Sequence, residues 1–178
     1  MVAGTARGRR LDVPAGTTTR PTADRVREAV FNALDSLGAT DGARALDAFA
    51  GSGALGIEAL SRGAGHVTFV EVDAAARAVV DANLIATGLA GRATVTGGDG
   101  PCVVATAGPW DLVLLDPPYG FERWHELLAQ ALDGLAPDGV LVVESDREVL
   151  LPAGLHGIRT KQYGGTVVTF ATPAGVTS

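Results

Sequence analysis

From residue 43 to residue 144 the chain alternates short apolar runs with amphipathic segments, and this alternation limits its possible folds more than any other feature. Ala43–Phe49, Val67–Val72, Ala93–Thr96, Trp110–Asp116 and Val140–Glu144 are strand-length runs rich in apolar and β-branched residues. A strand with one wet face alternates apolar and polar residues; a strand covered on both faces reads as a near-continuous apolar run. Residues 54–62, Ala74–Thr87, 101–106 and 122–135 carry helical spacing between those runs. A β-α-β-α series of this kind predicts a parallel sheet with helices on both faces. The series then breaks. Ile158–Tyr163 and Val167–Ala171 flank Gly164-Gly165, the two-residue connection expected of an antiparallel hairpin.

Upstream, Val2-Ala3-Gly4 and Arg9–Val13 are expected as two short strands of an amino-terminal β-arm, followed by a Pro/Gly/Thr-rich loop over residues 14–21. Thr22 is expected to cap a helix that ends at Gly38, with Asp24 in its first turn. Val26, Ala29, Val30, Ala33, Leu34 and Leu37 fall on its core face. The expected division is an arm and helix over residues 1–40, a main domain over 41–173 and a tail over 174–178. At 178 residues and 47% hydrophobic content the chain suits one domain with a full core. Apolar runs are too short for a membrane span, and the amino-terminal arginines precede no apolar stretch of a signal peptide. The single cysteine, Cys102, has no partner for an internal disulfide and is read as a small packed hydrophobe in a cytoplasmic protein. His66 and His156 lack ligand spacing, so no metal site is expected.

The net charge of −6 is unevenly spread. Residues 1–30 hold six arginines against three acids, while the rest of the chain is strongly acidic. A basic arm on an acidic body suits a local contact with phosphates.

Two motifs carry chemistry. Gly51, Gly53 and Gly56 form a G-x-G-x-x-G between a strand and a helix, where backbone can approach a nucleotide-bearing ligand. Glu71, 18 residues beyond Gly53 at the end of the second strand, is placed to accept ribose hydroxyls. That pair alone fits NAD as well as any other adenosine-bearing ligand. Asp47, four residues before Gly51, puts a negative charge where a pyrophosphate is unwelcome and a cation is favoured. S-adenosylmethionine, with a sulfonium and an ammonium, fits that charge. Asp99, in Gly97-Gly98-Asp99-Gly100, is placed to accept from an adenine amine. The expected cofactor set is Asp47, Ala50, Gly51, Ser52, Gly53, Glu71, Val72, Asp99 and Gly100.

The second motif is Asp116-Pro117-Pro118-Tyr119, at the end of the fourth strand. Two prolines donate no N–H and cannot extend a ladder, so the strand stops there. What remains is a carboxylate, free carbonyls and a flat ring, a set suited to gripping and stacking on a planar amine.

With these motifs in this order, the sequence resembles the amino-methyltransferases of the Rossmann-like class I S-adenosylmethionine fold. Gly8-Arg9-Arg10-Leu11, Arg20-Pro21-Thr22, Asp24-Arg25-Val26-Arg27-Glu28 and Phe31-Asn32 narrow the resemblance to the bacterial 16S ribosomal RNA guanine-N2 methyltransferases, the RsmD family. The resemblance covers about residues 3 to 172, with Tyr119 where many members carry phenylalanine. It implies a mostly parallel seven-stranded sheet closed by an antiparallel hairpin, and methyl transfer to the 2-amino group of a guanosine. Asp116 and the Pro117 carbonyl would then accept the amine's N–H groups while Pro118 shapes the turn and Tyr119 stacks on the base. Arg7, Arg9, Arg10, Arg25 and Arg27 are expected on RNA phosphates, and Arg20 and Thr22 on either RNA or cofactor. Trp124 and His125 are read as either pocket-lining or, for Trp124, core. The expected partner is 16S rRNA, alone or in a partly assembled small subunit, bound by a monomeric enzyme away from membranes. The competing readings are an amino-methyltransferase of DNA adenine or another RNA site, a nicotinamide-dependent oxidoreductase, and a silent RNA-binding module.

Overall fold

The computed structural model describes residues 1–15, 21–100, 103–104 and 107–175, with the side chains of residues 21–23 excepted. Strands β1 (Arg44–Asp47), β2 (His66–Val70), β3 (Ala93–Thr96), β4 (Trp110–Leu115), β5 (Leu135–Ser145), β6 (Leu155–Tyr163) and β7 (Thr166–Pro173) form one sheet. Its order is β3-β2-β1-β4-β5-β7-β6. The first five strands pair in parallel, whereas β7 runs antiparallel to both β5 and β6. Among the described residues the helices of eight residues or more are α1 (Pro21–Leu37), α2 (Ala54–Ser61), α3 (Ala74–Thr87) and α4 (Trp124–Gly134). After β1 the chain builds outward through β2 and β3, then returns to place β4 on the other side of β1. That reversal opens a crevice at the carboxyl ends of β1 and β4, where ligands of open α/β sheets sit.

The two faces of the sheet are separate cores. Ala45, Leu112, Leu114, Val140 and Val142 pack with residues of α1, α2 and α3; Leu46, Val113, Leu115, Leu141 and Val143 pack with α4. Side chains alternate along a strand, so the next residue after Leu46, Leu115 and Val143 turns to the α1 side. Those residues are Asp47, Asp116 and Glu144.

The amino-terminal β-arm does not form. Residues 1–13 are turns and irregular chain, because α2 captures their backbone groups. The Glu58 carboxylate accepts from the Val2 and Ala3 N–H groups at 2.9 and 3.0 Å, and Ser61 Oγ from Ala6 N–H at 2.9 Å. These groups have no ladder left to join. Helix α1 begins at Pro21, one residue before the expected Thr22 cap, in keeping with the preference for proline in the first turn. Phe31 is fully buried on its core face whereas Leu37 is exposed, since the packed stripe runs through Val26, Val30, Phe31 and Leu34 and ends before the last turn. Strand β5 starts five residues earlier than expected, through the pairing of Leu135 with Trp110. The helical piece expected over residues 101–106, with Cys102, lies mostly outside the described residues. Among the described residues no helix is long and apolar enough to cross a membrane.

Candidate active site

The glycine loop joins β1 to α2, and two of its glycines are required by geometry. Gly53 caps α2 with φ of +79°, a left-handed conformation that side chains disfavour. A Cβ on Gly56 would lie 2.3 Å from the Phe69 ring, so only glycine lets α2 seat this closely on β2. Asp47 is turned inward: it is 1% exposed, and its carboxylate accepts from the Gly56 N–H at 2.9 Å. Burial raises it to about 7, against hydrogen bonds from Gly56 and Phe49 and with help from the charges of Asp116 and Glu71. Asp47 therefore ties the loop from beneath, and does not face a ligand directly as the sequence suggested. Glu71 fixes the loop from the side, accepting from Gly51 N–H at 2.9 Å and Asp73 N–H at 3.0 Å. Each Glu71 oxygen retains a lone pair for a ribose hydroxyl. Beside it Val72 is 69% exposed, an apolar side chain open to the crevice edge. An acceptor for a ribose, an exposed apolar group for a purine face and a loop shaped by glycine together fit an adenosine-bearing cofactor.

Asp99 is exposed and paired with Arg123 at 3.2 Å; Arg123 also holds Glu126 at 2.8 Å. The opposite wall is the Asp116-Pro117-Pro118-Tyr119 turn. Asp116 and Pro118 are exposed, Pro117 is buried, and the Tyr119 ring is 57% exposed. Asp116 has open surface, yet protein crowds it on the other sides, and that desolvation lifts its carboxyl above the ordinary carboxylate range. The turn is braced from the segment after β5. Gly120 N–H donates to Asp146 at 3.3 Å, and Arg147 donates to the Phe121 carbonyl at 2.9 Å. Phe121 packs edge-on against both Phe49, beside the glycine loop, and Trp124. Trp124 is thus a core residue, 8% exposed, and His125 is exposed.

Glu144 is a site residue that the sequence reading missed. The β4–β5 register pairs Leu115 with Val143, which sets Asp116 beside Glu144 on the next strand. Its carboxyl is raised by burial and by Asp116, against the opposing attraction of Arg27. An acid closing a buried apolar strand, at the same parity as Asp116, is the signal that could have found it.

The arginines divide. Arg7, Arg9, Arg10 and Arg25 are exposed. Arg27 is not available for phosphate: its side chain is 11% exposed, pairs with Asp24 at 2.7 Å and lies 3.9 Å from Glu58. Arg20 and the Thr22 side chain lie outside the described residues. Among the described residues no cluster of side chains could hold a metal ion.

The model of a family described as Conserved hypothetical protein 95 matches residues 1–172. Ribosomal RNA small subunit methyltransferase D of Escherichia coli (strain K12) is 41% identical over 155 residues, 85% of this chain and 77% of that protein. Its counterpart of the same name in Haemophilus influenzae is 34% identical over 172 residues, covering 92% and 88%. The solved structure of yhhF from Escherichia coli superposes with a TM-score of 0.85 at 38% identity, covering 97% of this chain and 96% of that one. With the family model spanning nearly its whole length, the chain belongs to the family described as Conserved hypothetical protein 95, the RsmD family.

Proposed function

We propose that this RsmD-family methyltransferase moves a methyl group from S-adenosylmethionine to the exocyclic N2 amine of a guanosine in 16S rRNA. The observation that carries the reading is the Asp116–Tyr119 turn, open at the end of β4 directly across the crevice from the glycine loop. The relatives named for small-subunit ribosomal RNA support the substrate class.

When bound, the cofactor supplies a methyl group on a positively charged sulfur. Gly51, Ser52 and Gly53 would border its place, Glu71 would accept from its ribose hydroxyls, Val72 would offer an apolar surface to its purine, and Asp99 would accept from its amine in exchange for Arg123. Asp116 and the Pro117 carbonyl accept the two N–H bonds of the guanine amine. The amine's lone pair is delocalised into the ring, and two acceptors below the plane draw the nitrogen toward tetrahedral geometry and free that pair. Tyr119 stacks on the base, which must leave its own stack at a cost of a few kcal/mol. Positioning and charge complementarity do most of the work. The new N–C bond would form as the sulfur–methyl bond breaks, leaving a neutral thioether, and a proton would leave the nitrogen for Asp116, whose raised carboxyl suits it as acceptor near neutral pH. Exposed Arg7, Arg9, Arg10 and Arg25 take RNA phosphates, making residues 1–40 the recognition extension of the main domain.

The test is to incubate the purified chain and labelled S-adenosylmethionine with rRNA and, separately, with DNA. Label in rRNA alone is expected. Label in DNA alone would contradict the reading, and calorimetric binding of NAD in preference to S-adenosylmethionine would replace it with an oxidoreductase.

A further inference from the structure

Asn83 of α3 is a buried amide whose hydrogen bonds join two parts of the chain that the proposed reaction uses separately. It is 2% exposed. Its Oδ1 accepts from the Asp12 N–H at 2.8 Å, and its Nδ2 donates to the Asp12 carbonyl at 2.9 Å. The amide thereby serves Asp12 as a neighbouring strand would. Its second N–H donates to the Ser52 carbonyl, in the middle of the glycine loop, at 2.9 Å. The side chain has two N–H donors, and each has one of these partners. The helix beneath is capped at its start by Asp73, whose carboxylate accepts from Ala75 N–H at 2.9 Å.

Asp12 ends the segment that carries Arg7, Arg9 and Arg10. The earlier part of that segment is held by Glu58 and Ser61 of α2. Its later part meets the cofactor loop through Asn83. Displacing Asp12 leaves Asn83 short of a partner and loosens its hold on Ser52, and displacing Ser52 acts equally on Asp12. Two sites that share one buried group, with both of its donors engaged, are energetically linked, and such a link is reciprocal. Buried polar groups without partners cost enough to enforce it.

We propose that Asn83 is a positioning residue that couples the arginine-bearing amino-terminal segment to the cofactor loop, so that cofactor binding and docking of that segment strengthen each other. This rests on the reading that residues 51–53 hold S-adenosylmethionine. An enzyme built this way presents its RNA-contacting arginines best when the methyl donor is in place.

The experiment uses the full chain with S-adenosylhomocysteine as the probe, read by calorimetry and by amide hydrogen exchange at Asp12. The amide of Val168, buried in β7, reports overall stability. In the wild type, the probe is expected to slow Asp12 exchange by about tenfold beyond any change at Val168. Asn83→Ala is expected to weaken probe binding about tenfold and to abolish the probe's effect on Asp12. Asn83→Asp preserves the shape and the acceptor for Asp12 N–H but loses both donors; it is expected to show the same loss of coupling, and serves if the alanine variant does not fold. Probe binding that leaves Asp12 exchange unmoved in the wild type would overturn the coupling while the cofactor reading stands. Coupling retained in Asn83→Asp would also overturn it. A wild-type chain that does not bind the probe would overturn the cofactor reading and the coupling with it.

Discussion

The proposed chemistry asks that Asp116 be reachable by a substrate and still hold a proton more readily than an ordinary carboxylate, and its place at the end of β4 suits both requirements. It opens to the crevice on one side and is crowded on the others, with Glu144 beside it on β5 and Asp47 behind it on β1. Replacing Asp116 by Asn is expected to lower methyl transfer by about a hundredfold or more while cofactor affinity stays within several-fold, as measured by single-turnover transfer and calorimetry. For Tyr119, alanine is expected to cost about tenfold in kcat/KM through lost stacking, whereas phenylalanine preserves activity. Asp47 gives a pH signature. Its carboxyl stands at about 7 in the fold against 3.8 ordinarily, so the folded chain binds a proton that the unfolded chain has released. Stability is therefore fullest at the acid end of that interval and falls as pH rises through it, levelling above about 7. Asp47→Asn keeps an oxygen for the Gly56 N–H but cannot ionise. Melting curves between about pH 5 and pH 8 are expected to show a shallower decline for the variant than for the wild type.

The strands and helices behind the crevice could be read from residues alone wherever the apolar pattern matches the cores they face. Trp110–Leu115, buried except for Asp111 because both faces of its strand are covered, is such a case, and Ala74–Thr87, with one buried face, is another. The amino-terminal segment was misread for a physical reason: its partners lie far along the chain. Glu58, 0% exposed, takes the Val2 and Ala3 N–H groups and the Arg62 guanidinium at 2.8 Å. No local pattern in residues 1–13 announces a carboxylate more than 50 residues away. Arg27, expected with the other amino-terminal arginines on RNA phosphates, misled in the same way, because the fold turns it toward Glu58. Glu58→Ala is expected to destabilise the chain by about 3 kcal/mol, because Arg62 and two backbone donors lose their acceptor; denaturant titration measures it. The exposed arginines predict a separate effect. Reversing Arg9 and Arg10 to glutamate is expected to reduce the slope of log affinity for RNA against log salt by about 1–2, measured by filter binding over a salt series.

The molecule as a whole sets a basic amino-terminal arm on an acidic body, with formal net charge −6. Under the proposed function, long-range attraction to RNA would be confined to the face that carries the arm, and the crevice would orient the base. The order β3-β2-β1-β4-β5-β7-β6 places the glycine loop and the Asp116 turn on adjacent strands, so two motifs that begin 65 residues apart become opposite walls of one crevice. Both motifs could be recognised in the sequence because glycines and prolines do locally what few other residues can. The third carboxylate, Glu144, and the link through Asn83 required the register of β4 with β5 and the seat of α3, which depend on tertiary pairing. The central claim is that this arrangement methylates the N2 amine of guanine, and the identity of the product nucleoside tests it most directly. After reaction of the purified chain with S-adenosylmethionine and unmodified 16S rRNA, the RNA is digested to nucleosides and analysed by mass spectrometry. N2-methylguanosine from the wild type and none from Asp116→Asn is the predicted result; methylation of any other nucleoside, or N2-methylguanosine at full yield from the variant, would contradict it.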